Sequence, residues 1–120
     1  MLERAKEFLQ TAELALEKEL YNGCAANCYY ALFWATISAM KHQGFKQEKW
    51  SHGGLKQKFT EVLIHKRHIY PAHFGTWLTQ AYAERLNAHY EVEGAGVTDT
   101  KRVLKHTREF INKVEEVTSK

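Results

Sequence analysis

From Leu2 onward the apolar positions recur three and four apart, at Leu2, Ala5, Leu9, Ala12, Leu16 and Leu20, with Phe8 and Ala15 widening the stripe. Glu3, Lys6, Glu7, Glu13, Glu17 and Lys18 fall outside it. That spacing predicts a one-sided amphipathic helix over Leu2 to Leu20. Asn22-Gly23 supplies residues that tolerate a left-handed turn, so the chain is expected to reverse there and return antiparallel. The pattern then changes. Cys24 to Met40, CAANCYYALFWATISAM, carries no charge, Pro or Gly and is apolar on almost every face. A helix wet on one side would show a stripe of charge, so this stretch is expected to be the central helix of a bundle, buried by its neighbours. A membrane span needs about 20 predominantly apolar residues. Asn27, Thr36 and Ser38 interrupt a run already shorter than that, and Lys41-His42 follows.

The second helix is expected to end at Gly44, and Ser51 to cap a third whose apolar face is Leu55, Phe59, Val62 and Leu63. The His52-Gly53-Gly54 start is costly, since Gly in a helix interior loses roughly 1 kcal/mol against Ala. It points to a close approach by a ligand or by a neighbouring helix. His65 to Gly75 reads as a loop or broken helix around Pro71. Trp77, Leu78, Ala81, Tyr82 and Leu86 predict a fourth helix from Thr76 to about Glu91, and the Gly94/Gly96 stretch a mobile loop. Thr98 is the expected cap of a fifth helix, with Val103, Thr107, Phe110, Val114 and Val117 as its seam. The predicted fold is all-α, an antiparallel four- to five-helix up-and-down bundle forming one domain over residues 1–120.

Composition changes this picture little. Charged residues make up 26% and hydrophobic ones 44% of 120 residues, which excludes a disordered chain, and a single Pro agrees with helices throughout. The formal charge of +3, with seven His besides, permits a polyanionic partner without requiring one. The opening MLERAKEF mixes acids and bases and carries no apolar signal core, so a cytoplasmic location without membrane attachment is expected. Cys24 and Cys28 lie four apart on one helix, where a disulfide is geometrically poor, and they are expected to be buried fillers.

Four constellations carry candidate chemistry. Arg85 and His89 are four apart on the fourth helix, hence on one face. An Arg that holds a phosphate and a His that moves a proton suit RNA cleavage, where the 2′-hydroxyl is the nucleophile and no metal or cofactor is needed. A plain hydrogen-bonding pair is the alternative. His65, His68 and His73 offer three imidazoles, but Lys66 and Arg67 among them would repel a cation, and a solvated basic loop is the expectation. Lys101, Lys105 and Arg108 share a face that tracks a nucleic-acid backbone or is simply solvated. Asn27, Tyr30, Trp34, Ser38 and Lys41 form the most polar stripe of the central helix, expected to line a groove or a second subunit.

Taken together, Asn27-Cys28-Tyr29-Tyr30-Ala31-Leu32-Phe33-Trp34-Ala35, Ser51-His52-Gly53-Gly54-Leu55, Phe59, Ala81-Tyr82-Ala83-Glu84-Arg85 and Ala88-His89-Tyr90 resemble the small stand-alone prokaryotic HEPN domains. The resemblance covers nearly the whole chain. It implies an antiparallel bundle that usually forms a homodimer, often encoded beside a minimal nucleotidyltransferase antitoxin. Many members of that family are metal-independent RNA-cleaving toxins whose Arg and His meet their copies across the dimer. In those members more residues part the Arg from the His than the three found here, and Leu86 stands where a polar residue is usual. The first expectation is therefore a non-catalytic bundle of a toxin–antitoxin-like system that binds a nucleotide or RNA or docks a nucleotidyltransferase. The second is an endoribonuclease using Arg85 and His89, supported by Asn87 and Tyr90. Asn27, Tyr30, His52, Lys101, Lys105 and Arg108 are the expected ligand-binding residues in either case.

Overall fold

Helix α1, Leu2–Glu17, is closed by a left-handed residue at Glu19, whose φ is 59°. The Leu20 N–H donates to the Ala15 carbonyl at 2.8 Å and the Glu19 N–H to Leu16 at 2.9 Å. These two bonds are the Schellman pair that satisfies the last carbonyls of a helix. The reversal thus precedes Asn22-Gly23, contrary to the sequence expectation, and both residues lie in the first turn of α2, Tyr21–His42. The computed structural model describes residues 2–120.

The long apolar run behaves as expected. Helix α2 packs against α1 and against the two C-terminal helices, α4 (His73–Tyr90) and α5 (Val97–Thr118). Leu32 and Met40 are fully buried. Cys24 and Cys28 are also buried, with free thiols, the small fillers their spacing suggested. No helix among the described residues is long and apolar enough to cross a membrane. The protein is 78% helical with five helices and, among the described residues, no strand.

Ser51 caps α3, His52–Lys58, accepting the Gly54 N–H on its hydroxyl at 3.0 Å. The helix then widens into a π-helical stretch, Phe59–Lys66, closed by the Arg67 N–H on the Val62 carbonyl five residues back. Such wider turns are rare and accumulate at functional sites. Val62, Leu63 and Ile64 are buried in succession along this stretch.

The expected broken segment is shorter than its sequence suggests. Pro71 accepts the Phe74 N–H on its carbonyl at 3.1 Å, so α4 begins at His73, ahead of Thr76. Gly75 lies inside that first turn, where a Cβ would come within 3.2 Å of Thr60 Oγ1. Its role is close approach of α4 to the π-helical stretch. Gly96 rather than Thr98 occupies the cap position of α5 and accepts the Thr100 N–H at 2.9 Å. The preceding loop is tied to α2, because the Ala95 N–H donates to Asn22 Oδ1 at 2.9 Å.

Candidate functional site

The polar side chains that converge come from three helices. Arg85, on α4, lays its guanidinium over two rings of α2, 5.3 Å from the Tyr29 centroid and 5.6 Å from Tyr30. The Tyr30 hydroxyl beside it, more than the opposing cost of burial, raises the guanidinium's proton affinity further. Arg85 Nε is buried without a hydrogen-bond partner, and Arg85 makes no ion pair among the described residues. A cation stacked on aromatic faces and left without a carboxylate retains its capacity for an incoming anion.

His52 enters from the first turn of α3. Its ring lies flat on Tyr82, 3.7 Å between centroids with planes 11° apart, and its Nδ1 is 3.1 Å from the Tyr29 hydroxyl. Burial, then the Lys56 and Arg85 charges, hold the imidazole below its ordinary pKa. Burial is also the main reason that the Tyr29 phenol is pushed up to about 12. The phenol therefore keeps its proton at neutral pH. A neutral imidazole accepting that proton at Nδ1 carries its own hydrogen on Nε2. Tyr29, Tyr30, Tyr82, His52 and Arg85 thus form one cationic and aromatic cluster, able to hold an anion against a hydrogen-bond donor.

Of the residues singled out from the sequence, Arg85, Tyr30 and His52 belong to this cluster. Tyr29, there taken for packing, belongs to it as well. It is buried, yet its hydroxyl reaches the surface of α3. Asn27 turns back instead and donates to the Gly23 carbonyl at 2.8 Å. Asn87 donates to Glu84 Oε1 at 3.2 Å, which fixes it on its own helix. His89 is exposed, its ring 6.2 Å from that of Tyr90, and Tyr90 is 73% exposed. The wider stripe of α2 is half-buried. Phe8 packs on Tyr30 at 5.4 Å, and Arg4 sits over Trp34 at 4.2 Å.

The basic face of α5 is distributed. Lys101 and Lys105 are exposed, whereas Arg108 pairs with Glu13 of α1 at 3.0 Å. His65 and His68 are exposed, while His73 packs on Trp77 at 4.7 Å, and no group of three or more metal-ligating side chains gathers among the described residues.

The fold is an all-α helical bundle. The HEPN domain family model matches residues 1–117, and the chain belongs to that family. No curated protein matches the chain.

Proposed function

We propose that this chain is a non-catalytic HEPN bundle that binds the phosphate of a nucleotide or RNA at the cluster around Arg85. The observation that supports it best is the state of Arg85, stacked on Tyr29 and Tyr30 with Nε buried and unpartnered. An arginine so held loses little further freedom when a phosphate meets its guanidinium. The exposure of His89, against the half-burial of Arg85, supports binding over cleavage. A cleaving pair has to bring both groups within hydrogen-bond reach of one phosphodiester. The nucleotidyltransferase half of the reading, a partner in a toxin–antitoxin-like pair, rests on the family resemblance alone.

The test is total RNA incubated with purified protein in chelator, alongside calorimetric titration with AMP, ATP and a short RNA oligonucleotide. The wild type is expected to leave RNA intact and to bind at least one of the titrants. Arg85→Ala should lose that binding and His89→Ala should keep it. Cleavage of RNA that disappears in both variants establishes the endoribonuclease instead. Ligand affinity unaltered by Arg85→Ala ends the present reading.

A further inference from the structure

The outward stripe of α2 carries the Arg85 cluster on toward the C-terminal end of that helix. Tyr30 and Trp34 are four residues apart, hence one turn apart on one face, and both are half-buried, as is Phe33 beside them. Tyr30 and Trp34 each hold an arginine that comes from a different neighbouring helix. Arg85 of α4 lies 5.6 Å from the Tyr30 centroid, and Arg4 of α1 lies 4.2 Å from the Trp34 centroid. The rings pack on further rings as well, Tyr30 on Phe8 at 5.4 Å and Trp34 edge to face with Phe33 at 5.8 Å. Lys41 is exposed, and seven residues beyond Trp34 it falls on the same stripe.

The charge held on this face has one sign. Helix α2 contains no Asp or Glu. Arg4, Arg85 and Lys41 make no ion pair among the described residues. Glu3 and Glu7, the acids closest to Arg4 along α1, are exposed and leave it unpaired. Where α1 meets α5 the cations are treated differently, since Lys6 pairs with Glu115 and Arg108 with Glu13. A second copy of the chain laid on the α2 stripe would set these free cations against their own images, and like charges opposed across an interface are costly. An anionic partner with flat faces suits both halves of the surface. Phosphates meet the cations, and bases stack on aromatic rings and on guanidinium planes. From Tyr30 to Lys41 the helix rises about 16 Å, so one mononucleotide on Arg85 leaves Arg4 and Lys41 unused.

We propose that the outward stripe of α2 is a track for a single-stranded polynucleotide, running from Arg85 and Tyr30 past Trp34 and Arg4 to Lys41. This rests on the reading of Arg85 as a phosphate site and specifies the ligand further, as a strand of several nucleotides. The strand's backbone follows Arg85, Arg4 and Lys41, and its bases lie against Tyr30, Phe33 and Trp34. A duplex keeps its base faces inside its own stack and can use only the cations. Ribose and deoxyribose strands share the phosphates and base faces that this surface meets, and stacking of this kind tolerates sequence.

The experiment is titration of the full chain, followed by fluorescence anisotropy and calorimetry, with AMP, single-stranded RNA and DNA of about ten residues, and an RNA duplex of the same length. The proteins are the wild type, Arg4→Met, Lys41→Met, Trp34→Leu and Arg85→Ala, with a urea unfolding midpoint for each. Wild type should bind a single strand about tenfold or more tighter than AMP or the duplex. Its log affinity should fall against log salt with a slope of about −2, as three phosphate contacts on a single strand require. Arg4→Met keeps an unbranched stem on Trp34, and it should weaken the strand and reduce the slope by about 0.7 while leaving AMP unchanged. Lys41→Met should do the same. Trp34→Leu should weaken the strand about fivefold or more, and if its unfolding midpoint falls, the two exposed positions decide the matter. Binding of only the RNA or only the DNA strand supports the track and names its source. A strand that binds no tighter than AMP overturns the track, as does a duplex that binds as tightly as the strand. So does a wild-type dimer in sedimentation that Trp34→Leu dissociates and that binds no strand, because the face then belongs to a second copy. Arg85→Ala addresses the underlying reading separately. If it binds AMP and the strand like wild type while Arg4→Met and Lys41→Met weaken the strand, the Arg85 reading fails and the track stands. If AMP needs Arg85 but strand affinity ignores Arg4 and Lys41, the track fails and the Arg85 reading stands. If no form binds any ligand, both fail.

Discussion

At the scale of single residues, His52 is the group through which the cluster is best observed. Its pKa is lowered by burial first and then by the positive charges of Lys56 and Arg85. Replacing Lys56 by Met removes one of those charges and leaves burial nearly intact, so the His52 pKa should rise toward the ordinary value of about 6.5. Titration of the His52 ring by NMR checks this, and an unmoved or lowered pKa would mean that Lys56 lies too far away to act. Tyr29→Phe tests the other contact of the ring. Losing the hydroxyl leaves Nδ1 without its partner at the cost of a part-buried hydrogen bond, about 1 kcal/mol, measurable by urea unfolding. Sequence spacing found Arg85 and Tyr30 because arginine and tyrosine on a helix face are conspicuous, whereas His52 came with the family resemblance. Tyr29 was not found. Adjacent residues on a helix point roughly 100° apart, so spacing alone puts Tyr29 with the core. Its hydroxyl matters only because α3 crosses where it does, and that crossing is tertiary.

At the scale of elements, the turn after α1 shows what local patterning misses. Asn22-Gly23 looks like the reversal, yet Glu19 adopts the left-handed conformation and closes the Schellman pair. A non-glycine residue in that conformation carries a cost of roughly 1–2 kcal/mol, partly offset for Gly by its greater freedom when unfolded. Glu19→Gly should therefore stabilise the protein by about 0.5–1 kcal/mol, and a lower unfolding midpoint would show that the Glu19 side chain contributes something the turn geometry does not. The amphipathic seams were legible. Val103, Thr107, Phe110 and Val114 are all buried on α5 as their spacing predicted. The π-helical widening was not legible, since Phe59, Val62 and Leu63 fit an ordinary helix equally well, and only backbone hydrogen bonds reaching five residues back, such as Arg67 N–H to the Val62 carbonyl, tell the two apart. Phe110 joins these elements. It is fully buried and stacks on Phe74 at 4.5 Å and on Phe59 at 5.8 Å. Phe110→Ala should cost about 3–5 kcal/mol, read from denaturant unfolding, because three helical segments lose a shared ring and a cavity remains.

At the scale of the whole molecule, two histidines on different helices bias stability in the same direction with pH. His106 on α5 lies parallel to Trp77 of α4, 4.2 Å between centroids with planes 4° apart, and its Nδ1 is buried without a partner. Its pKa is lowered chiefly by burial. Glu109 opposes the shift, while Arg102, Lys105 and His73 add to it. His52 is lowered as well. In each case the unfolded chain binds the proton more readily than the native one. The resulting contribution to stability is fully present above the unfolded value of about 6.5, and is lost as pH falls from there through the folded pKa values. Urea unfolding midpoints should consequently drop between about pH 7.5 and pH 5.5. His106→Phe keeps a ring on Trp77 but removes the titrating group, so it should flatten part of that drop while leaving the midpoint at the higher pH close to wild type. Two different results would show that the His106 charge is not what α4 and α5 exclude. One is a wild-type midpoint that rises on acidification, and the other is a His106→Phe profile that overlays the wild type. Because α4 carries both Trp77 and Arg85, the same acidification loosens the helix contact that helps to hold the arginine over its tyrosines. Loss of the α4–α5 packing and loss of ligand affinity at low pH should then be reduced together in the His106→Phe variant.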